Sequence, residues 1–470
     1  MRPDRRQVLA ALLAAGFAGV AQAQVPALSV PPPRRPAPRA SRLIAQSGLG
    51  AHIVYAVLGP DGQLAEGRGA DQPVAPASTL KVLTALYALD RLGAGHRFAT
   101  RVLRAGDMLV LAGGGDPLLD SDGLDELARM VAQSGQGTPA RFAVWGGALP
   151  AIHEIAPGQA AHLAYNPGIS GMMLNFNRVH LGWQAGGAAM ALQARAARHS
   201  PVAYTVRAEA VTQGPLFSWR EEGGREIWRV NRAGLGRAGS RWLPVRRPEA
   251  YAGDVFQTLC RARGLPLPTP EVIKNLPVQA EEIARVESPP LAEILRGMLE
   301  YSTNLTAEVV GLTASGVADG VNDLANSARA MQLWAEDRGI TGLELYDHSG
   351  MSDASRVTAR AMARIIAGPG QAAGLRGLMR QIRLTDAEGR SAGGDLRIEA
   401  KTGTLNFVSN LAGHGAMPGH EDITFAIFIS DMARRAGTEG QELPAGVSTW
   451  TQRAKLLQQQ LVEGWISRYG

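Results

Sequence analysis

Apolar residues in this chain change their spacing several times, and each change marks a different kind of element. Residues 52–58 (HIVYAVL) form a short apolar run that ends at Gly59-Pro60-Asp61-Gly62, and residues 63–69 follow. A continuous apolar run closed by turn residues predicts a strand, a turn and a second strand. Pro73 and Pro76 break that pattern. Residues 79–92 are apolar on more than one side and stop at Gly93, which predicts a buried helix with Ser78 at its N-terminal end. Residues 97–283 read as glycine-rich and strand-like, with short apolar runs at 108–112, 142–145 and 203–206 and a helical segment at 251–263. Helical periodicity returns from residue 291, through 325–337 and 358–366. Strands follow at 405–412 and 423–429, and a last helix at 449–466. A β-pair first, helices between, and a β-pair plus helix last predict an α+β fold with one sheet built from both chain ends. The expected units are 43–96 with 284–470 for that fold, and 97–283 for a large β-rich insertion of one or two domains.

The first residues follow another logic. Arg2, Arg5 and Arg6 precede an apolar stretch over 8–20, and Ala21-Gln22-Ala23 supplies the small-x-small pattern that a signal peptidase reads. Residues 1–23 are therefore expected to be a signal peptide that delivers the protein to the periplasm, with Arg5-Arg6 admitting a twin-arginine route. The stretch is too short for a comfortable membrane span. Residues 24–42 contain Pro31-Pro32-Pro33-Arg34-Arg35-Pro36, the composition of an extended linker.

Composition narrows the function classes. With 470 residues, 45% of them hydrophobic and 19% charged, the chain can bury a large core. Its net charge of +6 comes from scattered arginines with no aromatic interleaving, which argues against nucleic acid and suits an anionic polymer of the cell envelope. Cys260 is the only cysteine, so no intrachain disulfide is possible; it sits in an apolar helical run and is expected to fill core. Gly113-Gly114-Gly115 lacks the spacing of a dinucleotide or phosphate-binding loop and reads as a tight turn between strands. His153-Glu154 and His420-Glu421 have no second histidine at ligand spacing, so neither a metal nor a cofactor is expected.

The lysines change the picture. Of 48 lysines and arginines only Lys81, Lys274, Lys401 and Lys455 are lysines. Lys81 stands three residues after Ser78, in APASTLKVL, where the two share one face of the expected helix. A buried lysine can give up its proton and act as a base toward the serine hydroxyl, whereas an arginine stays protonated. Two further stretches follow in order: Ser302-Thr303-Asn304, at a junction of two helical runs, and Lys401-Thr402-Gly403-Thr404, expected to open a strand. This ordered set, Ser-x-x-Lys, Ser-x-Asn and Lys-Thr-Gly, resembles the penicillin-recognising serine acyl-transferases. The long separation of Ser78 from Ser302, together with GGGDPLL at 113–119 and DHSGMS at 347–352, resembles one branch of them. That branch is the D-alanyl-D-alanine carboxypeptidase/endopeptidase family, the low-molecular-mass class C penicillin-binding proteins of peptidase family S13.

The resemblance implies a transpeptidase-like catalytic domain and a role for each motif residue. Ser78 would attack the carbonyl of the penultimate D-Ala of a peptidoglycan stem peptide or crosslink, with Lys81 taking its proton. Ser302 and Asn304 would complete the proton relay and hold the substrate amide. Lys401 would lower the pKa of Lys81 by like charge and favour the substrate carboxylate, which Thr402 and Thr404 would bind beside Gly403. The backbone N–H groups of Ser78 and Thr404 would form the oxyanion hole, β-lactams would be covalent inhibitors, and no cofactor would be needed. Asp353, directly after SGMS, departs from the family pattern of an arginine that grips a side-chain carboxylate, and Arg356 is the nearest substitute. On sequence alone a β-lactamase or esterase on the same scaffold, and a non-catalytic wall-binding protein, stay open as alternatives.

Overall fold

The computed structural model describes residues 39–470 apart from 188, 317–322, 387, 392–393 and 439. The expected signal peptide and most of the expected linker lie outside the described residues. Helix α1 (Ala40–Ser47) already occupies the linker's last positions. Strands β1 (His52–Leu58) and β2 (Leu64–Arg68) form the predicted pair, and a 3-10 turn over Ala77–Leu80 runs straight into α2 (Lys81–Leu92).

The chain then passes through β3 (Ala99–Ala105), β4 (Met108–Ala112), α3 (Ser121–Gln133) and β5 (Arg141–Trp145). Strands β6 (Arg178–Trp183), β7 (Met190–Gln193), β8 (Val206–Val211), β9 (Phe217–Glu222), β10 (Arg225–Asn231) and β11 (Gly239–Pro244) come next. Helix α4 (Pro248–Ala262), β12 (Pro270–Ile273) and β13 (Glu281–Glu287) complete this stretch. It builds a five-stranded sheet, β12-β5-β4-β3-β13, and two three-stranded sheets. Helix α3 lies in a stretch expected to be strand-like and was not anticipated there. Asp120 caps it by accepting from the N–H groups of Asp122 and Gly123, and Leu124, Leu127, Ala128 and Val131 form its buried stripe. The Gly113 triplet leads from β4 toward α3 and is not a strand-to-strand turn; a Cβ on Gly113 would lie 2.4 Å from the carbonyl oxygen of Gly171.

Helices α5 (Leu291–Tyr301), α6 (Asn304–Ser315) and α7 (Leu324–Glu336) follow. Strands β14 (Leu343–Glu344) and β15 (Arg356–Val357) and helix α8 (Ala359–Ile365) come after them. Strands β16 (Arg380–Gln381), β17 (Arg397–Leu405), β18 (Val408–Ala416) and β19 (Ile423–Ser430) lead to α9 (Met432–Ala436) and α10 (Val447–Tyr469). Together with the first two strands they make a six-stranded antiparallel sheet, β16-β17-β18-β19-β1-β2, in which β1 pairs with β19 from His52↔Ser430 to Leu58↔Thr424. Both chain ends thus build one sheet. Val54, Ala56 and Leu58 face a core shared with α2, α5, α6, α7 and α8. Ile53, Tyr55 and Val57 face α1 and α10. Helices on both faces explain why β1 reads as an unbroken apolar run instead of alternating.

Two boundaries differ from expectation. The strand expected over 405–412 is the end of one strand and the start of another, because Asn406-Phe407 is a two-residue turn. Phe407 adopts φ +56 and is held there by burial against Trp450, with ring centroids 5.8 Å apart. Lys401 lies in the middle of β17, since Ile398 and Ala400 alternate inward ahead of it.

Candidate active site

Pro76 and the turn after it place the candidate nucleophile. In a 3-10 turn residues three apart eclipse, so Ser78 and Lys81 stand one above the other, with Lys81 Nζ 2.9 Å from Ser78 Oγ. The turn is strained: Ala77 adopts φ +46, unusual for a residue with a Cβ. It is held from two sides. Asn410, on β18, donates to the carbonyls of Ala75 and Pro76, both at 2.9 Å. Gly403, on β17, lies so close that a Cβ there would sit 2.9 Å from the Pro76 oxygen and 3.1 Å from the Ser78 nitrogen.

Lys81 is fully buried and donates to three acceptors: Ser78 Oγ, Asn304 Oδ1 at 2.8 Å and the Ser349 carbonyl at 2.7 Å. Burial pulls its pKa down to about 8, against the carboxylates of Glu308 and Asp347, which pull it up. Lys401 Nζ donates to Ser302 Oγ at 2.9 Å and to the Thr402 carbonyl at 2.8 Å. Its pKa is pushed down to about 6, first by burial and then by the charges of Lys81 and Arg380. Like charge between the two lysines therefore acts on Lys401, while burial is what lowers Lys81. Ser302 ends α5 in the left-handed conformation, φ +59, and Asn304 starts α6, so the Ser-x-Asn stretch sits at the predicted helix junction.

These residues meet at a cavity of about 1040 Å³, lined among others by Ser78, Ser302, Asn304, Thr404, Tyr165 and Arg435. Strand β16 pairs only with Glu399 and Ala400, so from Lys401 to Leu405 one edge of β17 has no strand partner among the described residues. Asn304 Nδ2 donates to the Tyr165 carbonyl at 3.1 Å and to Met351 Sδ. Asp353 pairs with Arg435, on α9, at 2.8 Å, whereas Arg356 donates to the carbonyls of Asp353 and Ser355. The sequence reading found both lysines and both serines but missed Glu308, Ser349, Asn410, Tyr165 and Arg435. Each reaches the site only through contacts distant in sequence.

Residues 45–453 match the D-Ala-D-Ala carboxypeptidase 3 (S13) family. The chain belongs to that family. As an S13 enzyme it is a serine-type D-Ala-D-Ala carboxypeptidase. It is 27% identical to a carboxypeptidase of Mycobacterium tuberculosis, over 89% of this chain and 88% of that one. It is also 27% identical to a D-alanyl-D-alanine carboxypeptidase of Actinomadura sp., over 77% of this chain and 74% of that one. Among solved structures, penicillin binding protein 4 of Haemophilus influenzae superimposes with a TM-score of 0.68 at 18% identity, covering 89% of this chain and 98% of that one. That likeness carries the S13 fold, with its transpeptidase-like sheet and helices.

Proposed function

We propose that Ser78 is the nucleophile of this carboxypeptidase/endopeptidase and Lys81 its general base, with peptidoglycan stem peptides and crosslinks as substrates. The observation that carries this reading is the arrangement around Lys81 Nζ. When the amine is neutral, its two N–H bonds go to Asn304 Oδ1 and the Ser349 carbonyl, and its lone pair faces the Ser78 hydroxyl. The hydroxyl proton passes to Lys81 as Oγ bonds to the carbonyl carbon. The backbone N–H groups of Ser78 and Thr404 receive the developing oxyanion, each such donor typically worth about 3 kcal/mol. Collapse expels the terminal D-Ala or the crosslinked amine, which takes a proton from the relay of Lys81, Ser302 and Lys401, and water then releases the acyl-enzyme.

The unpaired edge of β17 suits an extended peptide laid beside it, with Thr402 and Thr404 at the carboxylate. A carboxylate arriving beside Lys401 favours its charged form, so the cation is completed by the substrate. In the domain division we propose, residues 43–96 with 284–470 are the catalytic unit and 97–283 an insertion that lends Tyr165 to it. Residues 1–23 are proposed as an export signal to the periplasm, on the strength of Ala21-Gln22-Ala23. Among the described residues no helix is long and apolar enough to cross a membrane.

The test is covalent. Protein lacking residues 1–23, incubated with benzylpenicillin, is expected to gain the mass of one penicilloyl group, mapped to Ser78. No adduct, or an adduct on another serine, overturns the assignment.

A further inference from the structure

A fully buried carboxylate costs several kcal/mol unless something requires it, and Glu308 is fully buried one helical turn after Asn304 on the same face of α6. Its two oxygens are spent on a single loop. Oε2 accepts from the N–H of His348 at 3.0 Å and Oε1 from the N–H of Ser349 at 2.9 Å. Asp347 completes the wrapping by accepting from the N–H groups of Met351, at 2.6 Å, and Ser352, at 2.9 Å, and from the Ser355 hydroxyl, at 2.7 Å. Thr84, on α2, donates to the His348 carbonyl at 2.7 Å. With its amides turned inward on two carboxylates, the loop presents the Ser349 carbonyl outward to Lys81.

We propose that Glu308 is a positioning residue for acylation: its carboxyl fixes the Ser349 carbonyl as an acceptor for Lys81 and couples its own charge to that of the amine that takes the Ser78 proton. The proposal rests on the Ser78–Lys81 reading above. One face of α6 then serves the base twice, directly through Asn304 and indirectly through Glu308. The charged and titratable groups around the pair are Lys81 from α2, Asp347 and His348 from the loop, and Lys401 from β17. Burial, followed by the charge of Asp347, pushes the Glu308 pKa up to about 8, against the hydrogen bonds from Ser349 and His348 and then the charge of Lys81, which lower it. The fully buried His348 is pushed down to about 3 and stays neutral through the working range. Glu308 and Asp347 both favour the ammonium form of Lys81, so loss of either anion makes the base available at lower pH.

The test is the pH profile of penicillin acylation for the parent and Glu308→Gln. The glutamine keeps the volume but turns an NH₂ toward one of two amide donors, so the plateau rate is expected to fall about tenfold from a misplaced acceptor. The acid limb is expected to move to lower pH, which a merely structural role would not cause. A folded Glu308→Gln protein with an unmoved acid limb overturns the proposal. Should that variant fail to fold, infrared titration of the buried carboxyl in the parent and in Lys81→Met decides instead. The protonated carboxyl band is expected to persist to higher pH without the Lys81 cation, and identical titrations overturn the proposal. A parent that forms no Ser78 adduct at any pH would be a failure of the nucleophile assignment, and the infrared titration still reads the Glu308–Lys81 coupling.

Discussion

Lys81 and Lys401 are both buried amines paired with a serine, yet their neighbours ask different things of them. Lys81 has three acceptors in a fixed arrangement and, as the proposed base, exchanges a proton with one of them. Lys401 touches Ser302 and its own strand, and its proposed part is to meet the substrate carboxylate as a cation. Lys81→Arg is therefore expected to lower the second-order acylation rate with penicillin at least about 10²-fold, since a guanidinium cannot accept the Ser78 proton. Lys401→Arg supplies the positive charge that the proposed substrate carboxylate would meet and is expected to show a partial defect from altered geometry. Acylation rates of both variants, with circular dichroism melts to confirm folding, separate the two roles. A Lys81→Arg protein that acylates as fast as the parent would place the base elsewhere.

At the scale of elements, the candidate active site is a set of close backbone approaches around one strained turn. Gly350 stands in the loop below that turn with φ +79, and a Cβ on it would lie 1.9 Å from the Ala77 carbonyl oxygen. Gly350→Ala must push the Ala77 turn aside, and a displacement of about 1 Å at a nucleophile can cost 10²-fold. The expected result is a fall of at least about tenfold in acylation together with a lower melting temperature, read from the same rate assay and a melt. An unchanged rate would mean that the turn has slack the close packing does not suggest.

What the sequence disclosed follows from the range of the interactions involved. Ser78 and Lys81, and Ser302 and Asn304, are neighbours along the chain, so their spacing alone placed them together. The unbroken apolar runs of β1 and β19 and the periodicity of α2, α5 and α7 were legible for the same reason. Ser349 reaches Lys81 across 268 residues and Tyr165 reaches Asn304 across 139, and no local pattern marks such partners. Glu308 looked like any charge in an apolar helix. Helix α3 was hidden by the glycines around its cap. The turn at Asn406-Phe407 lacked the glycine that usually announces one, because the burial of Phe407 supplies what glycine would otherwise provide.

Across the whole molecule, residues 99–287 leave and re-enter through one narrow neck. Strand β3 pairs with β13, ending at Ala99↔Glu287; the Ser288 N–H donates to the Phe98 carbonyl, and the Phe98 N–H donates to the Ser288 hydroxyl. Such a neck invites the expectation that the stretch can be cut out cleanly. Its inner surface argues otherwise. Leu149, Ile155, Ile169 and Met173 share an apolar cluster with Leu305, Val309 and Leu312 on α6, the helix that carries Asn304 and Glu308. Replacing residues 99–287 with a short Gly/Ser linker is therefore expected to uncover that face, raising binding of an apolar dye, and to lower penicillin acylation more than about tenfold. A monomeric excised protein that acylates at the parent rate would show that the two parts are energetically separate.

The pairing of β1 with β19 also has a temporal meaning. A chain made from its N-terminus presents His52 long before the strand that ends at Ser430. Until then β1 and the Ser78 turn have one sheet neighbour, β2, and lack the β17 and β18 residues that pin the nucleophile. The middle of the chain can fold while it emerges, because its sheets and its core draw only on residues made before β17 and β18. The candidate active site thus comes together after the β-rich middle of the chain, and a ribosome that stops short of β17 and β18 leaves Ser78, Lys81, Ser302 and Asn304 made but without the strands that hold the Ser78 turn.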